Sequence, residues 1–242
     1  MKTNKCFLIF LVMAVVLAAP CRGETPAAGE PPATNKPAIV IKLPKPREDG
    51  KTSVESALRH RRATREFRNT PLTLAEVSQL LWAAQGITSP DGKRTAPSAG
   101  ALYPLEVFVV AGSVESLPAG VYRYRPQGHD LSRVTDGDKR VKLASLAQEQ
   151  TWLKGAPAII VIAGVYERTA VKYKERAERY VHIEAGHASQ NVQLQAVALE
   201  LGAVIVGAFD DDQVKRVLGL AADEQPLCLL PVGRPRTLRS WF

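Results

Sequence analysis

The chain has 242 residues, 45% of them hydrophobic, with Lys+Arg 32 against Asp+Glu 24 and a formal charge of +8. That hydrophobic content excludes wholesale disorder, and the length points to one domain with at most a tail. Gly and Pro number 17 each without a repeat period, which excludes collagen and solenoid architectures, and 3 Cys cannot build a disulfide scaffold.

In chain order, residues 1–23 read as a secretory signal. Lys2 and Lys5 precede an unbroken apolar run from Cys6 to Ala19, shorter than the roughly 20 residues that a spanning helix needs. Small residues follow, and cleavage after Gly23 is expected. The protein is therefore expected to be exported, periplasmic or secreted, with no membrane span in the mature chain. An uncleaved anchor and lipidation at Cys21 are the alternatives, and Pro20 makes the second a poor lipobox. Loss of Lys2, Lys5 and Arg22 lowers the formal charge from +8 to +5, a mild balance that demands no nucleic-acid partner. Cys228 is then the single cysteine left.

Residues 24–50, with prolines at 26, 31, 32, 37, 44 and 46, read as a tether whose apolar end (Ile39-Val40-Ile41, Leu43) docks on a domain spanning 51–242. Thr52-x-x-Glu55 predicts a capping box opening a helix through His60. Thr73-x-x-Glu76 predicts a second, whose helix buries Leu74, Val77, Leu80, Leu81 and Ala84 and stops at Gly86. A loop rich in Ser, Pro and Gly over 87–104 leads to strands at Leu105–Ala111 and Gly120–Arg125, a helix over 138–148 and a buried strand over 157–165. Residues 167–180 are charged and either helical or loop. Then follow a long helix over 183–201 ended by Gly202, a strand over 203–209, a helix at Asp211–Leu218 and a last strand over 227–232. Helices and strands mix without regular βαβ alternation, which predicts an α+β fold rather than a doubly wound sheet. Neither GxGxxG after a strand nor GxxxxGK[ST] occurs, so the usual dinucleotide and triphosphate loops are missing.

Five arginines (59, 61, 62, 65, 68) fall within ten residues. Guanidinium groups bind phosphate bidentately and stay charged at any working pH. A bare run of this kind also describes a solvated basic face, and nucleic acid is disfavoured because Phe67 alone interleaves it. The company of the run is more specific. Arg61-Arg62-Ala63-Thr64-Arg65-Glu66-Phe67 resembles the RRSxRxF signature of the nitroreductase family of flavoproteins. Residues 97–104 (Pro-Ser-Ala-Gly-Ala-Leu-Tyr-Pro) resemble its second signature, in the form used by the SagB-type, thiazole/oxazole-forming dehydrogenase branch. Tyr180 with Glu184-Ala185-Gly186-His187 and Gln190-Asn191, then Leu201-Gly202, Val206-Gly207, Phe209 and Leu218-Gly219-Leu220, follow that branch in order.

The resemblance implies a nitroreductase-like FMN-binding fold, a mixed, mainly antiparallel sheet flanked by helices, in a homodimer with FMN at the interface. It implies Arg61, Arg62, Ala63 and Arg65 at the FMN phosphate and ribityl chain, with Ala63 standing where the family has serine. Pro97, Ser98, Ala99 and Gly100 would approach the flavin from the second subunit. Val206 and Gly207 would face the reactive edge of the ring, and Arg234 or Arg236 would complete the phosphate clamp. In azoline-oxidising members a Lys-Tyr pair at the position of Lys172-Tyr173 takes part in catalysis; a solvated helix face is the alternative here. The expected activity is that of an FMN-dependent oxidoreductase passing hydride or electrons through flavin N5 between a donor, NAD(P)H among the candidates, and a small organic acceptor. The alternatives are an azoline dehydrogenase acting on a modified peptide and a non-catalytic flavin-binding protein.

The remaining features read as structural. Glu184-x-x-His187 is half of a di-iron pattern without its second half, so no metal is expected. Trp82 is expected in the core, Trp152 and Trp241 carry no functional signal, and Cys228 on a buried strand is expected to be inert. Ser98 lacks the Gly-x-Ser-x-Gly frame of a hydrolase nucleophile.

Overall fold

The computed structural model describes residues 39–148 and 150–237. The leader, Cys21, the first part of the tether and Trp241 lie outside them. The described residues form seven strands: β1 (Val40–Lys42), β2 (Leu105–Ala111), β3 (Gly120–Arg125), β4 (Asp130–Asp136), β5 (Ala158–Gly164), β6 (Gly202–Ala203) and β7 (Gln225–Gly233). Six α-helices accompany them: α1 (Val54–His60), α2 (Leu74–Gln85), α3 (Arg140–Leu146), α4 (Tyr166–Tyr173), α5 (Ala177–Ala198) and α6 (Asp211–Leu218). The strands make one sheet in the order β1-β4-β3-β2-β5-β7-β6, every neighbouring pair antiparallel.

The sheet is covered on both faces because its central strands are apolar at nearly every step, Glu106 of β2 being the exception. On β2 and β5, Val107, Val109, Ile160 and Ile162 point to one side, where they meet Val77, Leu80 and Leu81 of α2 and Val181, Ala188 and Val192 of α5. Phe108, Val110, Ile159 and Val161 point to the other, against Leu143 of α3 and Val214 and Leu218 of α6. The expected α+β architecture is the one observed. No helix among the described residues is long and apolar enough to cross a membrane.

Three local departures have physical causes. First, β4 was not predicted, because Asp130–Asp136 offers only Leu131 and Val134 as apolar side chains. It is held instead by the buried Asp130 carboxylate, which accepts from Arg125 Nε of β3 (2.6 Å) and Lys42 Nζ of β1 (3.1 Å). The end of the tether thereby enters the sheet as β1. Second, α5 begins at Ala177 rather than 183 and ends on Leu199, with Glu200 in the left-handed region (φ 57°). Gly202 is not its cap. It enters β6, where a Cβ would collide with the Thr64 side chain.

Third, the first capping residue is Ser53 and not Thr52: Ser53 Oγ accepts from Ser56 N–H at 3.1 Å. The Thr73–Glu76 box forms as predicted, with Glu76 N–H on Thr73 Oγ1 (3.2 Å) and Thr73 N–H on Glu76 Oε2 (2.8 Å). Ser53→Ala is accordingly expected to cost about 0.5–2 kcal/mol in urea unfolding and Thr52→Ala only a few tenths. Equal losses from the two would return the cap to Thr52.

Candidate active site

The arginine run is extended chain between α1 and α2, fastened on both sides. Arg61 N–H closes α1 on Ala57 O (3.0 Å), and Thr64 N–H donates to Ala203 O (3.1 Å) as Ala63 bridges to Ala203. Phe67 bridges to Pro235, Arg68 N–H donates to Arg234 O (2.8 Å) and Arg236 N–H to Glu66 O (3.0 Å). Those two seams bring Arg65 and Arg236 to one concavity of about 250 Å³, lined also by Ala63, Thr64, Glu66 and Pro235. The Arg65 guanidinium stands 5.7 Å from the Trp152 ring centroid.

The other arginines of the expected clamp point elsewhere. Arg61 Nη1 reaches Gln193 Oε1 of α5 (3.5 Å), and Arg62 turns back onto the carbonyls of Arg59 (2.9 Å) and Arg61 (2.8 Å). Arg234 is engaged by Glu76 (2.8 Å) and the Pro71 carbonyl (3.2 Å), so of the two C-terminal candidates Arg236 faces the concavity. Among the described residues, no carboxylate pairs with Arg61, Arg62, Arg65 or Arg236, whereas Arg123, Arg125, Arg133, Arg140, Arg168 and Arg234 all have one. Charge left uncompensated along one seam is what an anionic group requires.

From Ala203 the chain runs on to a roomier cavity of about 630 Å³ that contains Gly207, Ile205, Phe209, Leu227, His182 and Gly186 in its wall. Val206 is buried and exchanges both backbone hydrogen bonds with Leu229 (2.8 and 2.9 Å), which leaves Gly207 facing outward. Neither Gly207 nor Gly186 has an atom within 4 Å of where a Cβ would sit. Gly186 lies inside α5, where glycine costs about 0.5–1 kcal/mol relative to alanine. Both glycines line the same space, where bare backbone leaves room for a flat ligand. The residues present thus fit a flavin, with an arginine-bearing concavity for its phosphate and, for its ring, a glycine-lined one walled in part by Ile205, Phe209 and Leu227 and edged by Glu178, His182 and Asp211.

At the rim of that cavity Tyr166 Oη and His182 Nε2 are 2.6 Å apart. Burial, with Glu178 and Asp211 adding, raises the Tyr166 phenol above its ordinary value. Sequence reading missed this pair, because its members are brought together only by the turn from α4 to α5. Cys228 also borders the cavity; it is buried, and burial pushes its thiol up to about 11, which keeps it inert as expected. His187 is exposed and Trp82 only half-buried.

Pro97, Ser98, Ala99 and Gly100 line neither cavity. They form a tight loop with Gly100 (φ 63°), Ala101 (φ 54°) and Tyr103 (φ 48°) in left-handed conformations. Ser98 Oγ accepts from Tyr103 N–H (2.9 Å), and the buried Glu184 Oε1 accepts from Ala99 N–H (2.8 Å). Lys172 Nζ and Tyr173 Oη each stand 3.1 Å from the position of a Cβ on Gly100, so the structure brings both to this loop.

Burial raises the Glu184 carboxyl above the ordinary carboxylate range, against the hydrogen bonds from Ala99 and Ser98 and the nearby His187 and Arg94. A carboxyl with a raised folded pKa favours folding fully below its unfolded pKa, and that contribution fades as pH rises through the folded value. Glu184→Gln keeps an acceptor for Ala99 without the charge. Its stability relative to the parent, followed in urea titrations, is expected to improve as pH rises above the ordinary carboxylate range. A gap independent of pH would remove the buried carboxylate from this account.

Comparison with known proteins follows the same lines. A model of the nitroreductase family matches residues 58–234. MJ1384 of Methanocaldococcus jannaschii, a nitroreductase homologue, is 45% identical over 181 residues, 75% of this chain and 90% of that protein. McbC, the microcin B17-processing protein of Escherichia coli, is 29% identical over 157 residues, 62% of this chain and 57% of its own length. A crystal structure of a nitroreductase homologue from Ralstonia eutropha matches with a TM-score of 0.71 at 31% identity, covering 82% of this chain and 90% of that one.

Proposed function

The chain belongs to the nitroreductase family of flavin-dependent oxidoreductases, and from that premise we propose that it is an exported enzyme that binds FMN between two copies of itself and passes hydride between a donor and a small organic acceptor. NAD(P)H is the donor class proposed. The observation that carries the reading is the seam of arginines without carboxylate partners leading to a glycine-lined cavity.

Bound flavin supplies the hydride chemistry at N5; the protein supplies position and electrostatics. Arg65 and Arg236 neutralise the phosphate, which otherwise could not leave bulk water. Ile205, Phe209 and Leu227 give the ring an apolar wall, while Gly207 and Gly186 leave a substrate room to lie flat. The Pro97–Gly100 loop, absent from both cavities of its own subunit, is proposed to close the site of the partner. Exposed apolar side chains on the same elements (Val54 and Leu58 of α1, Val171 of α4, Ile183 of α5, and Ile205) support a buried interface between copies.

A second reading is favoured by one specific observation, the placement of Lys172 and Tyr173 against Gly100. In it, the substrate is a thiazoline or oxazoline ring on a modified peptide, and Lys172 removes the proton as the ring is oxidised. The export expected from residues 1–23 favours the first reading and the likeness to McbC the second.

The visible spectrum of the purified protein, with its released cofactor identified and its mass measured in solution, tests the common premise. The expected result is a yellow dimer that releases FMN and is bleached by NADPH or NADH. A colourless monomer that takes up no FMN in calorimetry would end both readings.

A further inference from the structure

A separate cavity of about 290 Å³ opens where β2 and β3 meet α2 and α4, and it shares no lining residue with the two described above. Four guanidinium groups line it, those of Arg94, Arg123, Arg125 and Arg168, against the single carboxylate of Glu106. The acids in reach are already committed. Glu106 accepts from Arg123 (2.9 Å) and forms an ion pair with Arg168 (2.6 Å). Glu224 holds both terminal nitrogens of Arg123 from outside the cavity, and Asp130 takes Arg125 through Nε while also holding Lys42.

Arg94 is the cation left over. Its Nη1 donates to the neutral Gln85 Oε1 (2.9 Å), and its guanidinium lies 4.4 Å from the Tyr103 ring centroid. Its Nε and Nη2 have no hydrogen-bond partner among the described residues, nor have the two terminal nitrogens of Arg125. Burial draws the Arg94 guanidinium below its usual value; Glu106 and Tyr103 counter this, and Arg168 adds to it by like charge. A half-buried cation beside a second cation, with free N–H groups and no acid of its own, carries a desolvation cost that a bound anion would offset.

We propose that this cavity binds a small oxyanion, a carboxylate or phosphate group, held by the free N–H groups of Arg94 and Arg125. The forked guanidinium matches either group, and a cavity of about 290 Å³ has room for it. The site is independent of the flavin. It lies at the root of the 97–104 loop, since Arg94 stacks on Tyr103 and Arg168 Nη1 donates to the Tyr103 carbonyl (3.3 Å). Arg168 also precedes Lys172 by one turn of α4. An anion bound there would steady the segment against which Lys172 and Tyr173 stand.

Calorimetric titration of the flavin-loaded protein at low salt, with inorganic phosphate and separately with succinate, tests this. Saturable binding of at least one is expected, and whichever binds identifies the oxyanion class. Arg94→Gln is expected to weaken it about tenfold or more. Arg125→Lys, which keeps a cation beside the buried Asp130 but lacks the terminal guanidinium nitrogens, is expected to weaken it about threefold and decides the matter if the Arg94 variant does not fold. Arg65→Gln should leave it unchanged. No saturable heat with either anion, binding unchanged in both cavity variants, or binding lost in Arg65→Gln but kept in Arg94→Gln would each overturn the proposal.

Discussion

Replacing Arg65 and Arg236 together by alanine is expected to weaken flavin retention by about 10²-fold or more, with roughly tenfold from each alone. The two guanidinium groups share one concavity, neither has a carboxylate partner among the described residues, and each charge-assisted contact to a phosphate contributes about 1.5–3 kcal/mol. Both side chains are exposed in the free chain, which puts the expectation at the lower end of their summed range. Arg234→Ala is the internal control. Its guanidinium is engaged by Glu76 and Pro71, so its loss should cost a little stability and leave flavin affinity alone. Fluorescence titration of the stripped protein with FMN measures all four variants. An unchanged dissociation constant in the double variant would reduce the arginine seam to ordinary basic surface.

The second large effect concerns Lys172. On the peptide-ring reading, Lys172→Ala is expected to lower turnover of a thiazoline-bearing peptide by about 10²–10⁴-fold, the usual contribution of a positioned base. Flavin retention should not change, because Lys172 lines neither flavin cavity. Lys172→Arg separates a base from a mere positive charge. It preserves the cation on a similar stem, yet cannot give up its proton near neutral pH, so it should be as inactive as the alanine variant. Full turnover in Lys172→Ala would remove ring oxidation as the function and leave hydride transfer to a small acceptor.

Where burial was written as pattern, sequence and structure agree closely. β2 and β3 occupy the predicted residues, as does α6, and α2 starts and stops on its expected caps. The reasons are local: apolar runs that only a sheet interior accommodates, and a Thr–Glu pair at the one spacing that closes a capping box. β4 escaped because an electrostatic tie to Asp130, rather than an apolar face, holds it in the sheet. The start of α5 was left open between helix and loop because Glu178, Arg179 and His182 are exposed and polar, and only Ala177 and Val181 of its first turns reach the core. At the candidate site, resemblance singled out the arginine run, the 97–104 loop and Lys172-Tyr173 as candidates. It left Tyr166–His182 and the Arg94 cavity unseen, since those contacts join residues from different elements.

Acting through short-range patterning alone, the amino-acid order determined which segments are buried, which helices are capped and that a dense set of cations precedes α2. Which of those cations stay free for a ligand was decided only in three dimensions. Arg234 and Arg236 stand two residues apart with the same chemistry, yet one meets Glu76 and the other pairs with no acid among the described residues. The difference arises because hydrogen bonds and ion pairs act over a few ångströms, so each arginine's state depends on the neighbour that the fold delivers to it rather than on its position along the chain.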